Sequence, residues 1–517
     1  MLRAAGELRA GRATARGLLA GCLGRAEANG ALCLVARAAA EAAAAASDAR
    51  RARGAARGPL DGVPVAVKDN FCWAGQRTTA ASPGLAEFAP PYSATLVRRL
   101  EAHGAVLVGK ANMDEFGMGS FNLNSAFGPV EGLAAAGGGP RHAPGGSSGG
   151  SAMAVAQGAA LAALGSDTGG SVRLPAAYCG LVGLKPSYGR LSRWGLIAYA
   201  SSLDCPGVLA GDVRDAFALL SLLQGADPRD MTSLPANDRL AADHFGRHPR
   251  FSEGSRGGGG AEGGGADGGK GRQGGRRRGG GGGDGAEPSL EGVTVGIPQE
   301  YRVEELTEPV LAAWRAAADR LEARGATVKA VSMPHSELAL PAYYLLATAE
   351  AASNLARYDG LRYGEGPPPG AAEGAGRERF LAEARARAFG AEVQRRLALG
   401  TFAVAEERSA RYHLKAQQIR TLVLRDFKRA FEEVDVLLAP TAASTPPTLE
   451  EAAGLSGVET YATDAMTVPA SLAGVPAVSV PAAACPATGL PIGLQVIGPF
   501  AAEEKLFPVA LALEPGQ

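Results

Sequence analysis

The chain carries no net charge. Across 517 residues, 52 Lys and Arg are balanced by 52 Asp and Glu. Without a global basic field nothing steers it onto nucleic acid, so any RNA contact has to be local or supplied by a partner. Cysteine is sparse. Cys22, Cys33, Cys72, Cys179, Cys205 and Cys485 form no CxxC pair and no His/Cys cluster with zinc spacing. That excludes zinc-finger architectures and reads as free thiols in a reducing compartment. Long apolar runs are missing. Apart from Ala-rich stretches, which make poor spans, polar residues interrupt every window of about 18 residues, and no secretory signal pattern opens the sequence. Histidine is scarce. His103, His142, His244, His248, His335 and His413 all lack the loop context of a general base, so any serine chemistry here needs another proton acceptor. Aromatic content is only 6%.

What is plentiful is Ala, Gly and apolar surface. Hydrophobic residues make up 46% and charged residues 20%, enough for a large core; at ~150 residues per domain the length suggests about three domains. The first 25 residues carry five Arg and one Glu. This composition fits organelle targeting, in a mitochondrion or chloroplast, and fits an ordinary surface helix as well; a bacterial cytoplasm is the other setting. Residues 4–50 read as two helices. "DGVPVAVKDN" (61–70) is an apolar strand ending in Lys-Asp-Asn, and 93–120 reads helix, glycine stop, strand, loop. That order predicts a βαβ-like layered α/β fold. The apolar run 151–164 reads as a buried helix. Residues 250–288, low-complexity Gly with scattered charge, have almost nothing to bury and read as a disordered Gly/Arg-rich insert. The expected organisation is N-terminal helices over 1–60, a first core part over 61–249, the insert over 250–288, and a second core part over 289–517. In that second part, long helices are expected over 312–324, 339–357, 378–398 and 404–433.

"GSDTGGSVRLPA" (165–176) interrupts this apolar background. Two glycines before Ser171 permit unusual backbone angles and leave N–H groups unobstructed. Converging N–H groups are what a developing oxyanion needs, with Ser171 as nucleophile; a tight turn with a solvent-facing serine fits the same residues. An aspartic protease would need a second DTG or DSG, and none occurs. "GGSSG" (145–149) has the spacing of a nucleophile elbow, but a loop precedes it where that motif needs a strand. The run also lacks the lysine of a phosphate-binding loop. Lys68, at the end of an apolar strand, is a candidate base, because desolvation lowers a lysine pKa; a strand-end lysine reaching out to solvent fits the same residues.

Lys68 in "VAVKDN", Ser147 in "GGSSGGSA" and Ser171 in "GSDTGGSVR" together resemble the amidase signature family. The resemblance covers almost the whole chain except the Gly/Arg insert. It implies an amidase-signature fold, a large mixed β-sheet core covered by helices on both faces. It also implies Lys68 as base, Ser147 as relay behind a cis peptide bond, and Ser171 as nucleophile. Thr168, Gly169, Gly170 and Ser171 would supply oxyanion N–H groups, and Asp167 with Arg173 would hold the turn. Further stretches, among them "KANMDEFGMGSFNLNSAFGPV" (110–130) and "YYLLATAEAASNLARYDGLRYG" (343–364), look like the branch of glutaminase subunits of tRNA-dependent amidotransferases. That likeness maps a glutamine clamp onto Tyr343, Arg396 and Asp464, with Arg395 the alternative register.

The implied activity is glutamine hydrolysis, with the ammonia passed to a B subunit. There ATP and Mg would activate Glu-tRNA(Gln), and a small C subunit would bridge the two. No metal or organic cofactor is implied in this chain. Two other readings stay open: a stand-alone amidase of the same family, and a non-catalytic scaffold binding RNA through the Gly/Arg insert. The link 131–144 is longer than the family pattern, which leaves its path open.

Overall fold

The structure, a computed structural model, describes residues 1–26, 30–240, 289–364, 366 and 376–515. The Gly/Arg-rich stretch 250–288, with His244 and His248, lies outside the described residues. Eleven strands form a single sheet: β1 (Leu32–Val35), β2 (Pro64–Lys68), β3 (Val106–Ala111), β4 (Ala162–Asp167), β5 (Val182–Lys185), β6 (Cys205–Ala210), β7 (Thr294–Pro298), β8 (Thr327–Val331), β9 (Val436–Pro440), β10 (Ala477–Ala484) and β11 (Pro491–Ile497). Their order is β1-β3-β2-β4-β6-β5-β10-β11-β9-β7-β8. The sheet is mixed. β3, β2 and β4 run parallel, as do β9, β7 and β8, and the middle strands pair antiparallel. Strands from before and after 250–288 therefore share one sheet. Every residue of β2, β3 and β4 is buried, which requires helices over both faces.

The N-terminal stretch differs from the two helices expected. It forms helices Leu2–Arg9, Ala15–Ala26 and Arg37–Ala52, with β1 inserted before the third and paired antiparallel to β3. The Arg-rich helices bury Leu8, Leu19 and Leu23 in the core, and their arginines lie on the exposed side. The run 151–164 is not one helix. Helix Gly149–Ala156 ends, Gly158 takes φ +72°, and β4 begins at Ala162. An all-apolar run fits a buried helix and a buried strand equally; the left-handed glycine decides, because the helix cannot continue through it. The expected helix 378–398 is likewise two, Gly376–Ala388 and Ala391–Val404, and 404–433 resolves into Glu406–Ser409 and His413–Glu433. Among the described residues no helix is long and apolar enough to cross a membrane.

Candidate active site

β2, β3 and β4 run parallel, so their C-terminal ends share one edge, and at that edge lie Lys68 and Asp167. Open α/β sheets receive ligands at such edges. After Asp167 the chain turns through Thr168–Ser171 into helix Arg173–Cys179. Asp167 and Arg173 are both fully buried and form a two-pronged ion pair, Nη2 to Oδ1 and Nε to Oδ2, each 3.0 Å. Asp167 Oδ2 also accepts the N–H groups of Val172 and Arg173. Arg173 and these N–H groups outweigh the cost of burial and hold the Asp167 carboxyl below its ordinary range. Arg173 further donates to Thr467 O, Gln495 Oε1 and Ser471 Oγ. The turn is therefore locked from below.

The two glycines are required by what stands beside them. A Cβ on Gly169 would lie 2.7 Å from Tyr343 Oη, and one on Gly170 would overlap Thr467 Oγ1. Among the described residues, the N–H groups of Gly169, Gly170 and Ser171 have no acceptor. Thr168 Oγ1 donates to Asp204 Oδ1 at 2.8 Å. The other Asp204 oxygen accepts the N–H groups of Tyr199 and Ala200.

Lys68 is completely buried. Its Nζ lies 2.8 Å from Ser147 Oγ, 3.0 Å from Ser166 Oγ and 3.3 Å from Ser166 O. Burial lowers its pKa to about 7, against the opposing pull of Asp114, Asp167 and Asp204. At pH 7 about half of such a side chain is neutral, compared with roughly one in three thousand for an ordinary lysine. The Gly146–Ser147 peptide bond is cis. Ser148 N–H donates to Ser171 O at 3.2 Å, and Asp114 N–H to Ser147 O at 3.3 Å. These bonds tie the Ser147 loop to the Ser171 turn and to the 114–124 loop, where Asp114 accepts the N–H groups of Asn122 and Asn124.

Tyr343, Arg396 and Asp464 come from helix Ala339–Asn354, helix Ala391–Val404 and the segment before helix Val468–Ala473. Arg396 is buried and Arg395 is half exposed, its one ion pair among the described residues being with Glu392, so Arg396 is the inward residue. Its Nε donates to Glu392 Oε1 at 2.7 Å and its Nη1 to Tyr199 Oη at 2.9 Å. The rings of Tyr344 and Tyr461, stacked with centroids 4.0 Å apart, each lie 5.2 Å from the guanidinium. Nη2 is buried with no hydrogen-bond partner among the described residues. Asp464 accepts from Tyr344 Oη at 2.8 Å and Ser120 Oγ at 3.2 Å, and burial pushes its carboxyl up to about 6. These three residues join the turn at three points: Tyr343 against Gly169, Arg396 through Tyr199 to the loop that Asp204 holds, and Asp464 through the Thr467 N–H.

Sequence reasoning passes over Ser166, Asn70, Asp204, Tyr199, Glu392, Tyr344 and Tyr461. Ser166, Asn70 and Tyr344 sit inside quoted stretches, and nothing there marks them apart from their neighbours. Among the described residues no group of three or more His, Cys, Asp or Glu side chains could hold a metal ion.

The Amidase family profile matches residues 18–250 and 283–507. The A subunit of the glutamyl-tRNA(Gln) amidotransferase of Anaeromyxobacter dehalogenans (strain 2CP-C) is 46% identical over 479 residues, 92% of this chain and 86% of that protein. Its counterpart from Synechococcus sp. (strain CC9605) is 45% identical over 464 residues, 90% of this chain and 84% of that protein. Among solved structures, the counterpart from Thermotoga maritima aligns with a TM-score of 0.66 at 33% identity, covering 89% of this chain and 86% of that one. The native peptide amidase of Stenotrophomonas maltophilia aligns with a TM-score of 0.71 at 28% identity, covering 98% and 94%. Backbone likeness thus spans both an amidotransferase subunit and a peptide amidase. A sheet edge that brings Lys68 to Ser147 beside the Ser171 turn, together with a profile match over most of the chain, makes this protein a member of the amidase family.

Proposed function

We propose that the chain is the glutaminase subunit of a glutamyl-tRNA(Gln) amidotransferase. The observation that carries this reading is the buried Arg396 with Nη2 unpaired in a cluster with Asp464 and Tyr343. A free α-amino acid carries a carboxylate and an ammonium, and needs a cation and an anion at fixed spacing. A neutral amide needs neither. Leaving a buried guanidinium nitrogen unpaired is costly, and a bound α-carboxylate would relieve it.

In the reaction, neutral Lys68 takes the Ser147 hydroxyl proton while Ser147 takes the proton of Ser171. Ser171 Oγ attacks the side-chain amide carbon of glutamine. The oxyanion is received by the N–H groups of the 168–171 turn. The C–N bond breaks, the proton returns along the same path to the departing nitrogen, and ammonia leaves. Water then hydrolyses the glutamyl ester on Ser171. The same reading has the ammonia pass to a B subunit, where ATP and Mg would serve to activate Glu-tRNA(Gln), with a C subunit bridging the two. Residues 61–249 and 289–517 act as the two halves of one catalytic core.

The test is a two-donor assay on the assembled enzyme. Ser171→Ala should abolish glutamine-dependent amidation of Glu-tRNA(Gln), and ammonium chloride should still support it. Retained glutamine-dependent activity would remove Ser171 as nucleophile. Loss with both donors, in a folded and assembled protein, would favour a stand-alone amidase.

A further inference from the structure

The base has a neighbour that the proton relay does not use. Asn70, two residues beyond Lys68, is buried, and its Nδ2 donates to Ser166 Oγ at 2.9 Å. Its Oδ1 is buried with no partner, so the bond to Ser166 is the side chain's one hydrogen bond among the described residues. A buried amide with an unpaired end costs stability.

A neutral lysine has two N–H donors and one lone pair. For Lys68 to accept the Ser147 proton, the lone pair has to face Ser147 Oγ, and both N–H groups have to be engaged elsewhere. The only other oxygens hydrogen-bonded to Nζ among the described residues belong to Ser166. Ser166 O, a carbonyl, can only accept. Ser166 Oγ can accept or donate, and there lies the difficulty. A Ser166 hydroxyl turned onto Nζ would consume the lone pair and force Lys68 to present an N–H to Ser147, which stops the relay. A hydroxyl oxygen has two acceptor positions. With Asn70 donating into one and Lys68 into the other, the Ser166 proton is directed away from both. Three carboxylates face Lys68 from other elements, Asp114, Asp167 and Asp204, and oppose the burial that disfavours its charge. Among the described residues none makes a hydrogen bond to its Nζ.

We infer that Asn70 is a positioning residue, which acts through Ser166 to keep the Lys68 lone pair turned toward Ser147. The inference rests on the proposed role of Lys68 as base.

The experiment is the pH–rate profile of glutamine hydrolysis by the assembled enzyme. Asn70→Asp keeps the shape, removes the donor and adds a negative charge. The acidic limb of kcat/KM should move up by about one pH unit, with KM for glutamine within about twofold. Because the added carboxylate raises the limb whatever the role of Asn70, this arm checks that Asn70 faces Lys68, and the double-mutant cycle tells a positioning role from a merely structural one. A double-mutant cycle is the second measurement, and it decides alone if Asn70→Asp does not fold. Asn70→Ala and Ser166→Ala should each lower kcat about tenfold, and the double variant should be no worse than the poorer single one. An unmoved limb, or losses that multiply in the double variant, overturns the role of Asn70. Lys68→Ala serves as the reference: if it keeps glutamine hydrolysis, the base assignment itself falls; if it is inactive, the outcome at Asn70 stands on its own.

Discussion

Lys68 Nζ and Ser147 Oγ lie 2.8 Å apart across 79 residues of sequence. The contact joins the end of a parallel strand to a loop bearing a cis peptide bond. No carboxylate forms an ion pair with Lys68 among the described residues, and it is fully buried. The neighbouring lysine of the sheet, Lys110, is equally buried yet paired with Asp69 at 2.8 Å. The strand ends thus hold one lysine paired for structure and one left able to lose its proton.

Activity should follow the neutral form of Lys68. Burial lowers its pKa to about 7. The ammonium form cannot accept a proton, so kcat/KM for glutamine should rise with pH through that value and level off above it. Lys68→Arg should lose at least a thousandfold, because a guanidinium stays charged across the accessible range. A steady-state pH series on wild type and variant checks both points, and an active Arg variant removes the assignment.

The clamp predicts a contrast between adjacent residues. Arg396→Lys removes the planar fork that serves Glu392, Tyr199 and the free Nη2 position at once, and it should raise KM for glutamine by about a hundredfold, equivalent to roughly 3 kcal/mol. Arg395→Ala removes a surface pair and should change KM less than twofold. Equal effects at the two positions would mean that the inward-facing guanidinium does not hold the substrate.

Lys68, Ser147 and Ser171 are legible as candidates because each sits in a short stretch whose composition breaks its surroundings: a strand-end lysine, or serines among glycines. Their supports are not legible. Thr168 meets Asp204 across 36 residues, and Arg396 meets Tyr199 across 197. Periodicity and local propensity carry no information at such separations. The mixed sheet is expected, but its register and the placement of β1 are not. "LCLV" is four residues between Ala-rich helices, and its strand state comes from pairing with β3. The helix read over 151–164 fails for the same reason, since β4 exists through its partners β2 and β6.

The turn that carries Ser171 should be a stability element. Arg173→Ala leaves Asp167 charged and buried without its ion-pair partner, and should cost about 3–5 kcal/mol. Chemical denaturation should show a lower midpoint with the slope unchanged. A shift of less than 1 kcal/mol, on the order of a surface substitution, would mean that the backbone N–H groups alone hold the carboxylate.

Gly170 tests the oxyanion site without touching a reactive side chain. A methyl group there meets the Thr467 side chain, which in turn is bonded to Asp464 O. Relief has to come from movement of the turn, because Thr467 also accepts Arg173 Nη1 through its carbonyl. The free N–H groups at 169–171 would then miss the developing oxyanion. Loss of one such donor costs about 10²–10³ in kcat, so Gly170→Ala should fall by at least that factor while KM for glutamine changes little. Gly454→Ala is the control, since a Cβ there meets nothing within 4 Å, and it should match wild type. If Gly170→Ala instead raises KM and spares kcat, the turn shapes the substrate pocket and the oxyanion has to be received elsewhere.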